Sequence, residues 1–143
     1  MKKGGCCFIG LDNGIVIKCK SKEEAQSIID EASTHLNSLN LYDKKVEVCY
    51  WRKCWNIRRE IISVLHMNRD EAYHTIDLED IKPIIKRLSK FLDKETWDED
   101  DDGSIWEFEE YRESILWDIL NLSWLYHYKM EHPEIEIEFY DSY

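Results

Sequence analysis

Residues 104–139 read SIWEFEEYRESILWDILNLSWLYHYKMEHPEIEIEF, and the hydrophobic period changes once along them. Phe108, Tyr111, Ile115, Ile119, Leu122 and Tyr126 step by three or four, the spacing of one helix face. Leu116, Leu120 and Trp124 widen that stripe. Ser104 and Glu107 form a capping box that starts the helix, and His132 before Pro133 ends it. Beyond the proline, Ile135-Glu136-Ile137-Glu138-Phe139 alternates strictly, as a strand with one acidic wet face does. A long helix followed by a strand makes the fold a mixture of the two.

Working back, residues 78–92 predict a second helix, with Asp77 as cap and Leu78, Ile81, Ile84, Ile85, Leu88, Phe91 and Leu92 as its stripe. Pro83 near its start is expected to delay the first turn to Asp80. Lys82, Lys86, Lys90 and Lys94 form a basic ridge, and this helix should lie antiparallel to the one from Ser104. Residues 51–65 predict a helix with a wide apolar face through Trp51, Trp55, Ile62 and Leu65. Val46 to Tyr50 reads as a strand, and Ser21 with Glu24 as the capping box of a helix continuing to Leu39. At the start, Cys7-Phe8-Ile9 and Ile15-Val16-Ile17 flank Asp12-Asn13-Gly14, which predicts a hairpin with an Asn-Gly turn. The expected fold is one α+β domain over residues 1–143, in the order β-β-α-β-α-α-α-β, with helices packed on a small sheet. Residues 1–50 would supply hairpin, helix and strand, and residues 51–143 would be mainly helical.

Charge is unevenly distributed. From Trp97 onward there are fifteen Asp and Glu against Arg112 and Lys129, in a chain of net charge −11. Eleven of the eighteen aromatic residues lie in that same third, so the acids ride on a segment with enough apolar surface to fold. Such a surface repels nucleic acid and attracts basic protein. No apolar run reaches the roughly twenty residues of a membrane span, and the basic start lacks the apolar core of a secretory signal. The cytoplasm is the expected location. Cys6, Cys7, Cys19, Cys49 and Cys54 have no zinc spacing and read as reduced thiols.

One stretch has metal spacing. Asp98-Glu99-Asp100-Asp101-Asp102-Gly103 followed by Glu109 fits a calcium loop, in which Asp98, Asp100, Asp102, the Ser104 carbonyl and Glu109 would supply hard oxygens. The same acids are also what favours a helix start, and Ser104 serves as its cap. No other cofactor is expected. The phosphate-binding glycine loops and the nucleophile elbow are absent, and His127 and His132 are five apart rather than four, so no catalytic set emerges. Arg52, Lys53, Arg58 and Arg59 beside Trp51 and Trp55 have the composition of a nucleic-acid helix, but the rings are expected to face the core and the bases to pair with the acidic third.

Tyr50-Trp51-Arg52-Lys53 with Ile57, and Gly103-Ser104-Ile105-Trp106-Glu107-Phe108-Glu109-Glu110-Tyr111, resemble a family of small uncharacterised bacteriophage and prophage proteins. That family shares a Tyr-Trp-Arg-Lys helix motif and a Gly-Ser turn opening an acidic, aromatic helix. The likeness spans roughly residues 46–125. Trp55 and Arg58 stand where the family has Asn and His, and its loop before Gly-Ser is apolar rather than acidic. The resemblance implies a phage context and no catalytic residues. The expectation is therefore a non-enzymatic module that meets a basic partner through Trp106, Glu107, Glu110 and Glu113, as an inhibitor of a nucleic-acid-handling host protein. A calcium-responsive module and an immunity protein against a basic toxin are the alternatives.

Overall fold

The computed structural model describes residues 12–52, 54–68, 71–94 and 108–142, with backbone alone at Phe108 and Glu110. Within them the elements are β1 (Asp12–Lys18), α1 (Lys22–Ala32), β2 (Asn40–Tyr42), β3 (Lys45–Arg52), α2 (Trp55–Leu65), β4 (Tyr73–Ile76), α3 (Leu78–Ser89), α4 (Phe108–Glu131) and β5 (Glu136–Ser142). The four helices accompany one five-stranded antiparallel sheet of order β2-β3-β1-β5-β4, an α+β fold as the sequence predicts. The chain's own ends of the described region, β1 and β5, pair side by side at the sheet centre.

The helices share one hydrophobic core with one face of the sheet. Ile15 and Ile17 of β1, Trp51 of β3, Ile76 of β4 and Ile137 and Phe139 of β5 meet Ile57 and Ile61 of α2, Ile81 and Leu88 of α3, and Ile115, Leu122 and Leu125 of α4. Alternation puts Gly14, Val16 and Tyr140 on the opposite face, where Tyr42, Tyr50 and Tyr73 also gather. The α3–α4 pair is antiparallel: Lys82 at the start of α3 lies over the Tyr126 ring at 4.8 Å, while Arg112 near the start of α4 donates to the Leu92 carbonyl just past α3's end.

Capping follows the sequence closely. Ser21 Oγ accepts from Glu24 N–H at 3.1 Å, and the Glu24 carboxylate reaches back to Lys20 N–H. Asp80 Oδ2 accepts from Asp77 N–H at 2.8 Å, so α3 starts at Leu78 with Pro83 inside it rather than at the delayed position. Lys129 Nζ donates to the Pro133 and Ile135 carbonyls and closes the turn into β5. The expected alternation of Ile137 and Phe139 inward with Glu138 outward holds, and Glu138 meets Lys18 at 3.7 Å.

Further readings are corrected. The first helix ends at Ala32 with Ser33 as its C-cap, short of the expected Leu39. Asp12-Asn13-Gly14 is not a turn but the first half of β1, in register with Trp51 and Asp141 at Asn13. Both turn-forming residues are there for the neighbouring strand. Asn13, fully buried, donates its side-chain amide to Asp141, and Gly14 lies under the Tyr140 ring, which a Cβ would meet at 2.5–2.7 Å. Cys7-Phe8-Ile9, the expected partner strand, lies outside the described residues. Trp51 and Arg52 belong to β3, not to the following helix, which begins at Trp55. The short strands β2 and β4 are absent from the sequence reading; Asp43, at a φ of 55°, makes the turn between β2 and β3.

Asp141 is the polar centre of this arrangement. Arg58 of α2 grips both its oxygens at 2.9–3.1 Å, Asn13 of β1 donates to it, and its own backbone N–H reaches the Ala72 carbonyl at 2.8 Å. Removing one partner of a buried, bidentate pair is far costlier than the pair is worth. Asp141→Ala should lose about 3–5 kcal/mol in urea unfolding, against a change within about 0.5 kcal/mol for the exposed Glu136→Ala.

The Gly14–Tyr140 contact gives a change of sign. Gly14 has no positive φ, so alanine fits its backbone. Gly14→Ala should destabilise the chain by about 1 kcal/mol through the displaced ring. In a Tyr140→Ala background the same substitution should stabilise it by about 0.5 kcal/mol, and a double-mutant cycle on chemical unfolding reads the difference.

Candidate functional site

β2 covers only the start of β3. Asn40 pairs with Glu47, and among the described residues no strand continues beyond it. From Val48 to Arg52 the outer edge of β3 faces α4 instead, across a cleft of about 510 Å³. Unpaired strand edges need covering, and α4 does it with side chains. Asn121 Nδ2 donates to the Val48 carbonyl at 2.9 Å, and Ser38 Oγ donates to Asn121 Oδ1 at 2.7 Å. Tyr111 OH donates to the Arg52 carbonyl at 3.0 Å. Between these two, Trp51 Nε1 donates to Asp118 Oδ2 at 2.8 Å.

Tyr111, Ser114, Asp118 and Asn121 step by three and four, so they form one line along α4 aimed at the cleft. Neither Asp118 nor Asn121 is singled out in the sequence analysis. A signal was present: both fall among Ile115, Leu122 and Leu125 on the buried side, where a polar residue needs a partner. The helix therefore turns its seam slightly from the expected stripe, and Leu116 and Leu120, expected to widen the core, are left about half exposed at 51% and 50%. Trp117 beside them is 49% exposed and also lines the cleft. Trp124 is partly buried and stacks on Tyr128 at 4.9 Å.

Asp118 is the chemically unusual group. It is 8% exposed, and burial pushes its carboxyl up to about 7, although hydrogen bonds from Trp51 and Cys49 pull the other way. Among the described residues no cation lies within ion-pair distance of it. Burial also raises the Cys49 thiol well above its ordinary value, with the Asp118 charge adding to the effect. Cys49 is thereby a poor nucleophile. Cys19 is a free thiol as well, Cys54 is buried in the core, and Cys6 and Cys7 lie outside the described residues.

The residues expected to meet a partner or a metal divide differently. Glu113 is exposed on α4, one turn from Leu116 and Trp117. Glu110 is in α4, with its side chain outside the described residues, as are Trp106 and Glu107 altogether. Of the calcium loop, Asp98, Asp100, Asp102 and Ser104 lie outside the described residues. Glu109 is an exposed residue of α4, 3.9 Å from Arg112. Among the described residues no group of His, Cys, Asp or Glu is arranged to hold a metal ion, and no helix is long and apolar enough to cross a membrane. The basic helix behaves as expected in one respect: Arg58 goes to Asp141 and lies over the Trp55 ring at 5.3 Å.

Comparison of the chain with protein-family models, with curated proteins and with solved structures finds no match.

The buried carboxyl sets a pH dependence of stability. Asp118 holds its proton more tightly folded than unfolded, where its ordinary value is 3.8. The folded state therefore binds more protons between about pH 4 and pH 7, and this contribution to stability falls as pH rises through that window, then stays constant. Asp118→Asn keeps an oxygen for the Trp51 indole and removes the charge. Urea unfolding at about pH 5 and pH 8 should show the variant gaining on the parent at the higher pH. Parallel pH profiles would show that the carboxyl titrates normally.

Proposed function

We propose that the chain is a small, acidic, non-enzymatic protein-binding module of phage or mobile-element origin. Its role is to inhibit a basic, nucleic-acid-handling host protein, in the manner of an anti-defence or anti-CRISPR protein. The observation that carries the reading is on α4. Leu116, Trp117 and Leu120, each about half exposed, stand together beside the exposed carboxylates of Glu109 and Glu113. A half-exposed tryptophan flanked by aliphatic residues is the composition of an interface anchor. Its acidic rim supplies attraction to a cationic surface and competition with phosphate. The contact so proposed lies further along the sequence than Trp106, Glu107 and Glu110, with Glu113 common to both readings. An immunity protein against a basic toxin would use the same surface, and the identity of the captured protein separates the two roles.

The test is capture from host lysate by the tagged chain, followed by affinity measurement with the protein identified. Trp117→Ala and Glu113→Lys should each weaken binding about tenfold or more. Raising salt from about 50 to about 500 mM should weaken it strongly, and the partner's own nucleic acid should displace the chain. A captured protein bound equally well at both salts, or indifferent to both substitutions, is evidence against this role.

A further inference from the structure

The edge of β3 is not fully occupied by α4. The carbonyls of Val48 and Arg52 are both taken by α4 side chains. Hydrogen-bonding groups of a strand turn to the same side every second residue, so Tyr50 directs its N–H and C=O the same way as Arg52, into the cleft. Among the described residues nothing bonds them. The run from Val48 to Arg52, which β2 does not reach, spans about 13 Å, enough for a short extended segment lying between Asn121 and Tyr111. Trp117 offers that segment an apolar contact, and Ser114 leaves the α4 wall low between them.

Charge in the cleft specifies the segment. Its lining holds two carboxylates, Glu47 and Asp118, against one base, Arg52. Among the described residues the Asp118 carboxyl has only the neutral Trp51 indole as a close donor, with the Cys49 thiol beside it directed at the Asp118 backbone carbonyl, an incomplete set for a buried carboxylate. An ammonium or guanidinium group would complete it. We propose that an extended, basic segment of a partner protein adds to β3 in this cleft, pairing its backbone with Tyr50 and placing a lysine or arginine side chain on Asp118. This recognition by strand addition draws affinity from main-chain bonds and selectivity from alternate side chains. It rests on the protein-binding reading for the class of partner, but its site shares only Trp117 with the outward face of α4 and does not include Glu113, Leu116 or Leu120.

The experiment uses the full chain and a display library of unstructured linear peptides, from which the strongest binder is synthesised. Selected peptides should carry a Lys or Arg at one fixed position. On binding, exchange of the Tyr50 amide hydrogen, followed by NMR, should slow about tenfold or more. Asp118→Asn should lower affinity about tenfold and erase the preference for a base at that position. Ser114→Trp, a change at an exposed position on the cleft wall, should abolish peptide binding without unfolding the chain. The proposal is overturned if no peptide is enriched, if the enriched peptides are acidic, or if binding leaves Tyr50 exchange unaltered. Peptide binding that protects Tyr50 sustains this site even where lysate yields no basic partner. Conversely, a lysate partner lost on Glu113→Lys but bound fully by Ser114→Trp sustains the α4 reading and removes this one.

Discussion

The carboxylate of Asp141 holds the layers of this protein in position. It lies almost fully buried at the far end of β5, and its partners come from Arg58 of α2 and Asn13 of β1, with the Ala72 carbonyl bonding its backbone. A bidentate guanidinium fixes direction as well as distance. The orientation of α2 over the sheet is thus set by the same atom group that sets β1 beside β5. With that centre fixed, Gly14 falls beneath Tyr140, and the tyrosine-bearing face forms opposite the helices.

The second constraint is the short reach of β2. Among the described residues only the three-residue β2 pairs with the outer side of β3, and a helix cannot continue a β ladder with its own backbone. Side chains must substitute, which is why α4 carries Tyr111, Asp118 and Asn121 on the face turned to β3. Asn121 and Tyr111 are the economical solution, each answering a carbonyl. Asp118 is not. An asparagine would accept the Trp51 hydrogen bond without burying a charge. The carboxylate therefore costs stability that the fold does not require, and costs of this kind are characteristic of positions retained for binding or chemistry.

Much of the architecture was legible because local and tertiary demands agree. The caps at Ser21 and Asp77, the long periodic helix ending before Pro133 and the alternating Ile137 and Phe139 all read the same in isolation and in the fold. The misreadings fall where one residue answers to distant neighbours. Asn13 and Gly14 carry a turn signature, yet their roles are set by Asp141 and Tyr140, some 126–128 positions away in the chain. Trp51 belongs at once to a period-two set with Cys49 and a period-four set with Trp55, and only the pairing with β1 decides between them. β2 and β4, at three and four residues, are too short for alternation to register. The cleft was illegible for a related reason. The helical period puts Asp118 and Asn121 on the buried side, but nothing in the sequence says that β2 stops early, so it does not reveal the strand edge that they answer.

The acidic third acquires a different meaning once its members are placed. Asp141 and Asp118 are drawn inside and Glu138 lies against Lys18, so the formal charge overstates what a partner meets. What remains outward on α4 is a mixed surface, with Glu109 and Glu113 at the edge of Leu116, Trp117 and Leu120. In such a surface the two components act on different quantities. Exposed carboxylates are screened within roughly 10 Å at ordinary salt and act mainly on the rate of encounter, whereas a tryptophan and two leucines that lose water on contact set how long the complex lasts. An acidic chain that only mimicked nucleic acid would have no use for the second component. Its presence on the same helix that walls the β3 cleft argues for recognition of a particular protein surface, reached by charge and held by apolar contact.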